Sequence, residues 1–158
     1  LLLSTGNKSE IAVGYSTIYG DMAGAFNPLK DVYKTKVYRL CHWRNSIAFD
    51  NGNSKYLIPT DILTKEPSAE LAFNQKDTDS LPQYSELDTI LDHLIEEDLS
   101  VKELIDKGYN QDLVLRVQEM VYTSEYKRYQ SAPGTKISRR PFALGRRYPL
   151  VNQWRDKP

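Results

Sequence analysis

The opening stretch, Leu1-Leu2-Leu3-Ser4-Thr5-Gly6-Asn7-Lys8-Ser9-Glu10, constrains the fold more than any other part of the chain. A short apolar run closed by small and polar residues reads as a buried strand delivering its C-terminal end to a loop. Gly6 permits a tight turn there. Asn7 with Glu10 three residues later has the spacing of a capping box, so a helix is expected from Asn7 to Tyr19, closed by Gly20. Strand, loop and helix in that order form an anion site. One strand forms no sheet alone, and the only other candidate lies near Ala25 to Leu29. Leu1 to Leu3 would therefore need strand partners, and these residues offer few.

The rest of the chain is helical in pattern. A second helix is expected from about Lys34 to Ser46, with Val37, Leu40 and Cys41 as its apolar stripe. Phe49 to Ser54 carries turn chemistry, and Pro59, Pro67 and Pro82 punctuate an irregular acidic region. Between Tyr84 and Glu97, the residues Leu87, Ile90, Leu91, Leu94 and Ile95 share one helical face. Ser100 is placed to cap a short helix through Lys107 that Gly108 ends. From about Asp112 to Tyr129 the spacing of Leu113, Val114, Val117, Met120 and Val121 predicts one long helix. The segment Glu66 to Tyr84 has no sustained period and reads as a mobile lid.

At 158 residues with 40% apolar and 27% charged content, the chain can bury one sizeable core. No stretch approaches the roughly 20 apolar residues that cross a bilayer, which excludes an integral helical membrane protein. Cys41 is the single cysteine, so an internal disulfide and a multi-cysteine zinc site are both excluded, and a reducing, cytoplasmic setting is expected. The net charge of zero hides an asymmetry: twelve acids face two lysines from Glu66 to Asp106, while nine Lys and Arg face two acids from Glu125 to Pro158. A basic tail of that kind suits an anion, whether nucleotide or nucleic acid, or else a solvated face.

Two stretches offer chemistry. After Thr5-Gly6, free amides at a helix start can cradle an anion, and Glu10 can hold a divalent cation beside a phosphate or merely cap Asn7. Glu125-Tyr126-Lys127-Arg128-Tyr129 sets two cations between two rings at a helix end. There they either complement the helix dipole or meet a phosphate or carboxylate. Lys136 to Arg140 with Arg146 and Arg147 would track nucleic-acid phosphates if the chain were a binding module. His42 and His93 show no ligand spacing and read as structural.

The stretches LLLSTGNKSEIAVGYSTIYGDMAGAFNPLKDVYKTKVY, ILTKEPSAEL, QKDTDSLPQY, EEDLS and EYKRYQSAPGTKISRRPFALGRRYPLVNQW follow one another as in the synthetase domain of the bacterial glutamine-dependent NAD synthetases, which the chain closely resembles. The resemblance implies the C-terminal part of a doubly wound, parallel-sheet, Rossmann-like domain, mostly helical as a fragment. The family's SGGxDS pyrophosphate loop and its glutaminase domain have no counterpart in these residues. These 158 residues alone are accordingly expected to be inactive. The implied reaction is ATP- and magnesium-dependent amidation of deamido-NAD, with ammonia supplied by a glutaminase domain and the enzyme acting as a cytoplasmic homodimer.

Residue by residue, Thr5, Lys34 and Ser68 resemble positions that contact ATP. Glu10 resembles the acid that helps hold magnesium close to both substrates and contacts deamido-NAD. Lys127, preceded by Tyr126, resembles the lysine that binds deamido-NAD. Ammonia-only relatives carry a lysine at Ile18 and an aspartate at Ala25. Within the glutamine-dependent branch, Leu144 stands where an arginine is usual. The rival reading is a non-catalytic nucleic-acid-binding module built on the basic tail.

Overall fold

A computed structural model describes residues 1–50, 57–68, 76–142 and 144–158. Of the loop expected from Phe49 to Ser54, residues 51–54 lie outside these, as does the middle of the expected lid, 69–75, while Phe49 and Asp50 are helical instead.

Three chain segments run side by side. Leu3 bridges Phe26 in parallel and Asn27 bridges Gly134 in parallel, so residues 25–27 lie between the opening segment and the tail. The bonds are Ser4 N to Phe26 O at 2.9 Å, Ala25 N to Leu2 O at 2.9 Å and Asn27 N to Pro133 O at 2.8 Å. Among the described residues this pairing extends no further than single bridges, so Leu1 to Leu3 are exposed rather than buried. The expected strand direction is present; the expected burial is not.

Helix α1 spans Lys8–Val13. The capping box forms as read: Asn7 accepts from Glu10 N and Glu10 accepts from Asn7 N. The helix stops six residues earlier than expected, because Gly14 takes a left-handed backbone (φ 69°) and closes the last turn with a bond to Glu10 O. Ser124 packs so closely on Gly14 that a Cβ there would lie 2.7 Å from Ser124 Cβ.

Helix α2 spans Lys34–Asp50, and its stripe is only partly used: Val37 and Cys41 are half-buried while Leu40 is exposed. A short helix not anticipated, α3, spans Thr60–Thr64 behind Pro59. The expected Tyr84–Glu97 helix is present as α4, Tyr84–Asp92, continued by a wider π-helical turn, His93–Glu97. All five of its predicted apolar residues are buried. Helix α5, Val101–Asp106, carries the predicted Ser100 cap, reciprocated by Glu103.

The predicted long helix is two: α6, Gln111–Thr123, and α7, Glu125–Gln130, broken at Ser124. Arg128 explains the break. Its buried guanidinium donates to Ala12 O and Val121 O and pairs with Glu125, tying α7 to α1 and to the end of α6. Carbonyls recruited this way leave the straight i→i+4 ladder.

The core joins Ile11, Ala12 and Val13 of α1 to the buried faces of α4, α5 and α6, with Tyr33 and Phe142 closing it. The tail folds back over this core through one buried cation. Lys8 is 0% exposed, and its Nζ donates to Asp31 Oδ1 (2.8 Å), Ser138 Oγ (2.6 Å), Glu96 and the Arg140 carbonyl (3.3 Å). Burial opposes ionisation of Asp31 and Glu96, but the Lys8 bonds and backbone amides from the tail outweigh it. Both carboxyls are held below their ordinary range.

Candidate functional site

The N-terminal end of α1 gathers three of the predicted residues, Thr5, Glu10 and Lys34. Thr5 is exposed at the end of the first bridged segment. One turn into the helix, Glu10 accepts from Lys34 Nζ at 3.1 Å, with both side chains about one-fifth exposed. Ser9 helps set that distance by accepting from the Lys34 amide at 2.9 Å, which fixes the start of α2 against α1. Asp88 seals the same junction, bonded to Ser9 and to the amide and hydroxyl of Thr35. Burial raises the Asp88 carboxyl despite these donors.

The amides that the sequence offered to an anion are largely spent inside the protein. Lys8 N donates to Val32 O at 2.9 Å, Glu10 N to Asn7 Oδ1 at 3.1 Å, and Ile11 N to Asn7 O at 3.0 Å. With α1 only six residues long, side chains rather than free backbone amides carry the charge of this site. Glu10 is the one carboxylate bonded to Lys34 here, and no group of three or more His, Cys, Asp or Glu suited to a metal occurs among the described residues. One carboxylate is still an adequate protein share for magnesium, which takes its remaining ligands from water and substrate phosphates.

Ser68 is connected to this pair through residues the sequence reading did not single out. It follows Pro67, whose carbonyl accepts from Asp77 N at 2.9 Å. Buried Asp77 in turn accepts from Tyr84 Oη at 2.7 Å, and the Tyr84 ring lies 5.4 Å from Lys34 Nζ. Burial, then the bond to Asp77, push the Tyr84 phenol upward. The nearby Tyr15 phenol is raised by burial and by the charge of Asp77. The signal for Tyr84 and Asp77 was the motif QKDTDSLPQY itself, which carries an acid and a phenol at a helix start.

Lys127 stands at the other end of α1. Its Nζ donates to Gly14 O at 2.6 Å and Ser16 O at 2.8 Å, using two of its three protons and leaving one for a ligand. Tyr126 beside it is 46% exposed. Ile11, Ala12 and Val13 of α1 separate Glu10 from Gly14, where Lys127 bonds, by roughly 6 Å of helix. A ligand touching both must be extended.

Part of the basic tail is paired within the protein. Arg140 pairs with Asp98 at 2.9 Å, Arg146 lies 3.7 Å from the same carboxylate, and Arg155 pairs with Glu119. Asp98 is where the acidic stretch and the basic tail meet, through Arg140 and Arg146.

Parallel-paired segments, a crossover through α1 and a charged site beside that helix define a helix-rich part of an α/β domain. The NAD synthase family model matches residues 1–131. The chain belongs to the NAD synthase family. It is 53% identical to the glutamine-dependent NAD(+) synthetase of Rhodobacter capsulatus over 159 residues, covering 99% of this chain and 29% of that protein. The Acinetobacter baylyi enzyme of the same name is 52% identical over 98% of the chain and 28% of the enzyme. The chain thus spans less than a third of the length of these relatives. A solved glutamine-dependent NAD(+) synthetase from Cytophaga hutchinsonii superposes with a TM-score of 0.64 at 22% identity, over 96% of this chain and 24% of that one, a likeness of fold. No helix is long and apolar enough to cross a membrane among the described residues.

Proposed function

We propose that the protein carrying this chain converts deamido-NAD to NAD with ATP and ammonia, and that this chain is the C-terminal part of its synthetase domain. Membership of the NAD synthase family supports the reaction. The observation that carries it to particular residues is the Glu10–Lys34 pair beside the first bridged segment. The remainder of the domain, in this reading, completes a doubly wound, Rossmann-like sheet around the parallel segments 2–4, 25–27 and 133–134.

The chemistry has a physical order. A carboxylate is a poor electrophile because its charge is delocalised. An oxygen of the nicotinate carboxylate attacks the α-phosphorus of ATP, the bond to the β-phosphate breaks, and pyrophosphate leaves. Ammonia then attacks the activated carbonyl carbon, the bond to AMP breaks, and the nitrogen loses a proton. The first step brings anions together, and cations aimed at the developing charge lower its barrier.

Within this chain, Lys34 leaves Glu10 to meet ATP phosphates, with Tyr84 holding its stem in place. Thr5 and Ser68 hydroxyls contact the same nucleotide. Glu10 would hold magnesium, which supplies charge neutralisation when bound. Tyr126 and Lys127 bind deamido-NAD, Tyr126 by its exposed ring and Lys127 by its third proton. Ammonia reaches the site from a glutaminase domain, and two copies of the cytoplasmic enzyme associate. No nucleic acid and no membrane is involved; the internal pairing of Arg140, Arg146 and Arg155 supports this over a nucleic-acid-binding module.

The test is Glu10→Gln in the intact protein, assayed for pyrophosphate release and for NAD. The substitution keeps shape and removes the charge. Pyrophosphate release should fall steeply and lose its dependence on magnesium. Release at the unaltered rate with the same magnesium response would reject the assignment.

A further inference from the structure

Asp77 is a buried carboxylate, 4% exposed, whose two oxygens are treated unequally by the protein. Oδ2 accepts from Tyr84 Oη at 2.7 Å, while buried Oδ1 has no hydrogen-bond partner among the described residues. Tyr15 Oη is likewise buried and unpaired. The two orphans are neighbours: after burial, the charge and the hydrogen-bonding reach of Asp77 are what raise the Tyr15 phenol. Buried polar groups without partners are costly and rare, so an orphan donor within reach of an orphan acceptor marks a bond that a small approach completes.

The carboxylate is not free to swing. The Asp77 amide donates to Pro67 O at 2.9 Å, and its carbonyl accepts from Ser80 N at 3.0 Å and Leu81 N at 2.8 Å. From that fixed point each phenol reaches a different part of the site. The Tyr84 ring lies 5.4 Å from Lys34 Nζ, which pairs with Glu10 at 3.1 Å. Tyr15 stands between Gly14 and Ser16, whose carbonyls hold Lys127 Nζ at 2.6 and 2.8 Å. One buried acid thus connects the residue assigned to ATP phosphates with the residue assigned to deamido-NAD.

That connection matters for a reaction between two bound molecules. The reacting atoms must be held about 3–3.5 Å apart and in line, and a misplacement of about 1 Å costs on the order of a hundredfold in rate. Lys34 and Lys127 belong to different helices, α2 and α7, so their spacing depends on what ties those helices to a common frame.

We propose that Asp77 is a positioning residue for the transfer between ATP and deamido-NAD: its carboxylate takes hydrogen bonds from Tyr84 and Tyr15 together and thereby fixes Lys34 and Lys127 relative to one another. Asp77 itself touches neither substrate. The inference rests on the proposed function for its reaction, while the carboxylate shared by two phenols is a property of the protein without ligands.

The test has a kinetic arm and a ligand-free arm, both in the intact protein. Asp77→Ala should lower kcat for pyrophosphate release about tenfold to a hundredfold, with the KM values for ATP and deamido-NAD changed by less than about threefold. Asp77→Asn, which still offers an oxygen to Tyr84, should restore most of the lost rate. Tyr84→Phe keeps the ring and removes only the hydroxyl, so it serves even where the alanine variant does not fold, and its kcat should fall in the same way. Adding Asp77→Ala to Tyr84→Phe should cost less than the product of the two single losses, since both act through one set of bonds. In the ligand-free arm, the protein is labelled with 3-fluorotyrosine, and the Tyr15 and Tyr84 fluorine resonances are identified from their phenylalanine variants. Asp77→Ala should shift both. A kcat within about threefold of the unaltered protein in both Asp77→Ala and Tyr84→Phe, an asparagine no better than alanine, fully independent losses in the double variant, or an unmoved Tyr15 resonance overturns the proposal. An unaltered protein that releases no pyrophosphate from ATP and deamido-NAD refutes the proposed function instead, and the fluorine resonances then decide the shared carboxylate by themselves.

Discussion

Lys8→Met should be the most destabilising single change in the chain outside its apolar core. The lysine is fully buried and its ammonium satisfies Asp31, Glu96, Ser138 and the Arg140 carbonyl together. Methionine has similar bulk, so no large cavity forms; the loss is electrostatic. Two carboxylates stay behind, one buried and one nearly so, with only tail amides and Ser138 to satisfy them. Removing one partner of a buried ion pair costs about 3–5 kcal/mol. For a domain of this size that lowers the melting temperature by roughly 6–20 °C, at about 2–4 °C per kcal/mol. Urea denaturation of the intact protein measures the loss, and hydrogen exchange at Ile137, Ser138 and Arg140 amides locates it, since these amides donate to Asp31 and Glu96. Adding Asp31→Asn and Glu96→Gln should recover part of the stability by removing the stranded charge. A loss under about 1 kcal/mol, or no recovery in the triple variant, would refute the reasoning.

Three further outcomes are expected. Lys127→Ala should raise the Michaelis constant for deamido-NAD about tenfold to a hundredfold, from a charge-assisted bond worth about 1.5–3 kcal/mol, and should also loosen the Gly14–Ser16 turn in hydrogen exchange. Gly14→Ala should cost about 2–5 kcal/mol of stability, because a left-handed backbone and the Ser124 contact both resist a Cβ; adding Ser124→Gly should return only the steric part. Asp31 and Glu96 are held below their ordinary values, so their stabilisation is complete above about pH 5 and is lost as pH falls through the lowered values. Acid denaturation should therefore steepen below that pH, and Lys8→Met should flatten the same limb.

Local chemistry was legible in the sequence wherever both partners sit within a few residues. The capping boxes at Asn7–Glu10 and Ser100–Glu103 form as their spacing dictates. The apolar face from Leu87 to Ile95 is buried because a helical period cannot point it elsewhere once one residue faces the core. The family, too, was readable from ordered motifs. The end of α1 was misplaced although Gly14 was visible, since a glycine signals a stop only when something holds its left-handed turn, and Ser124 and Lys127, over a hundred residues on, do so. The same remoteness hid the break at Ser124, which Arg128 imposes by reaching the Ala12 carbonyl. Lys8, which no local pattern singled out, is fully buried, because its three side-chain partners lie 23, 88 and 130 residues away. Pattern in a sequence reports which groups want burial or a partner; only the tertiary packing decides which partner is near enough to outweigh desolvation.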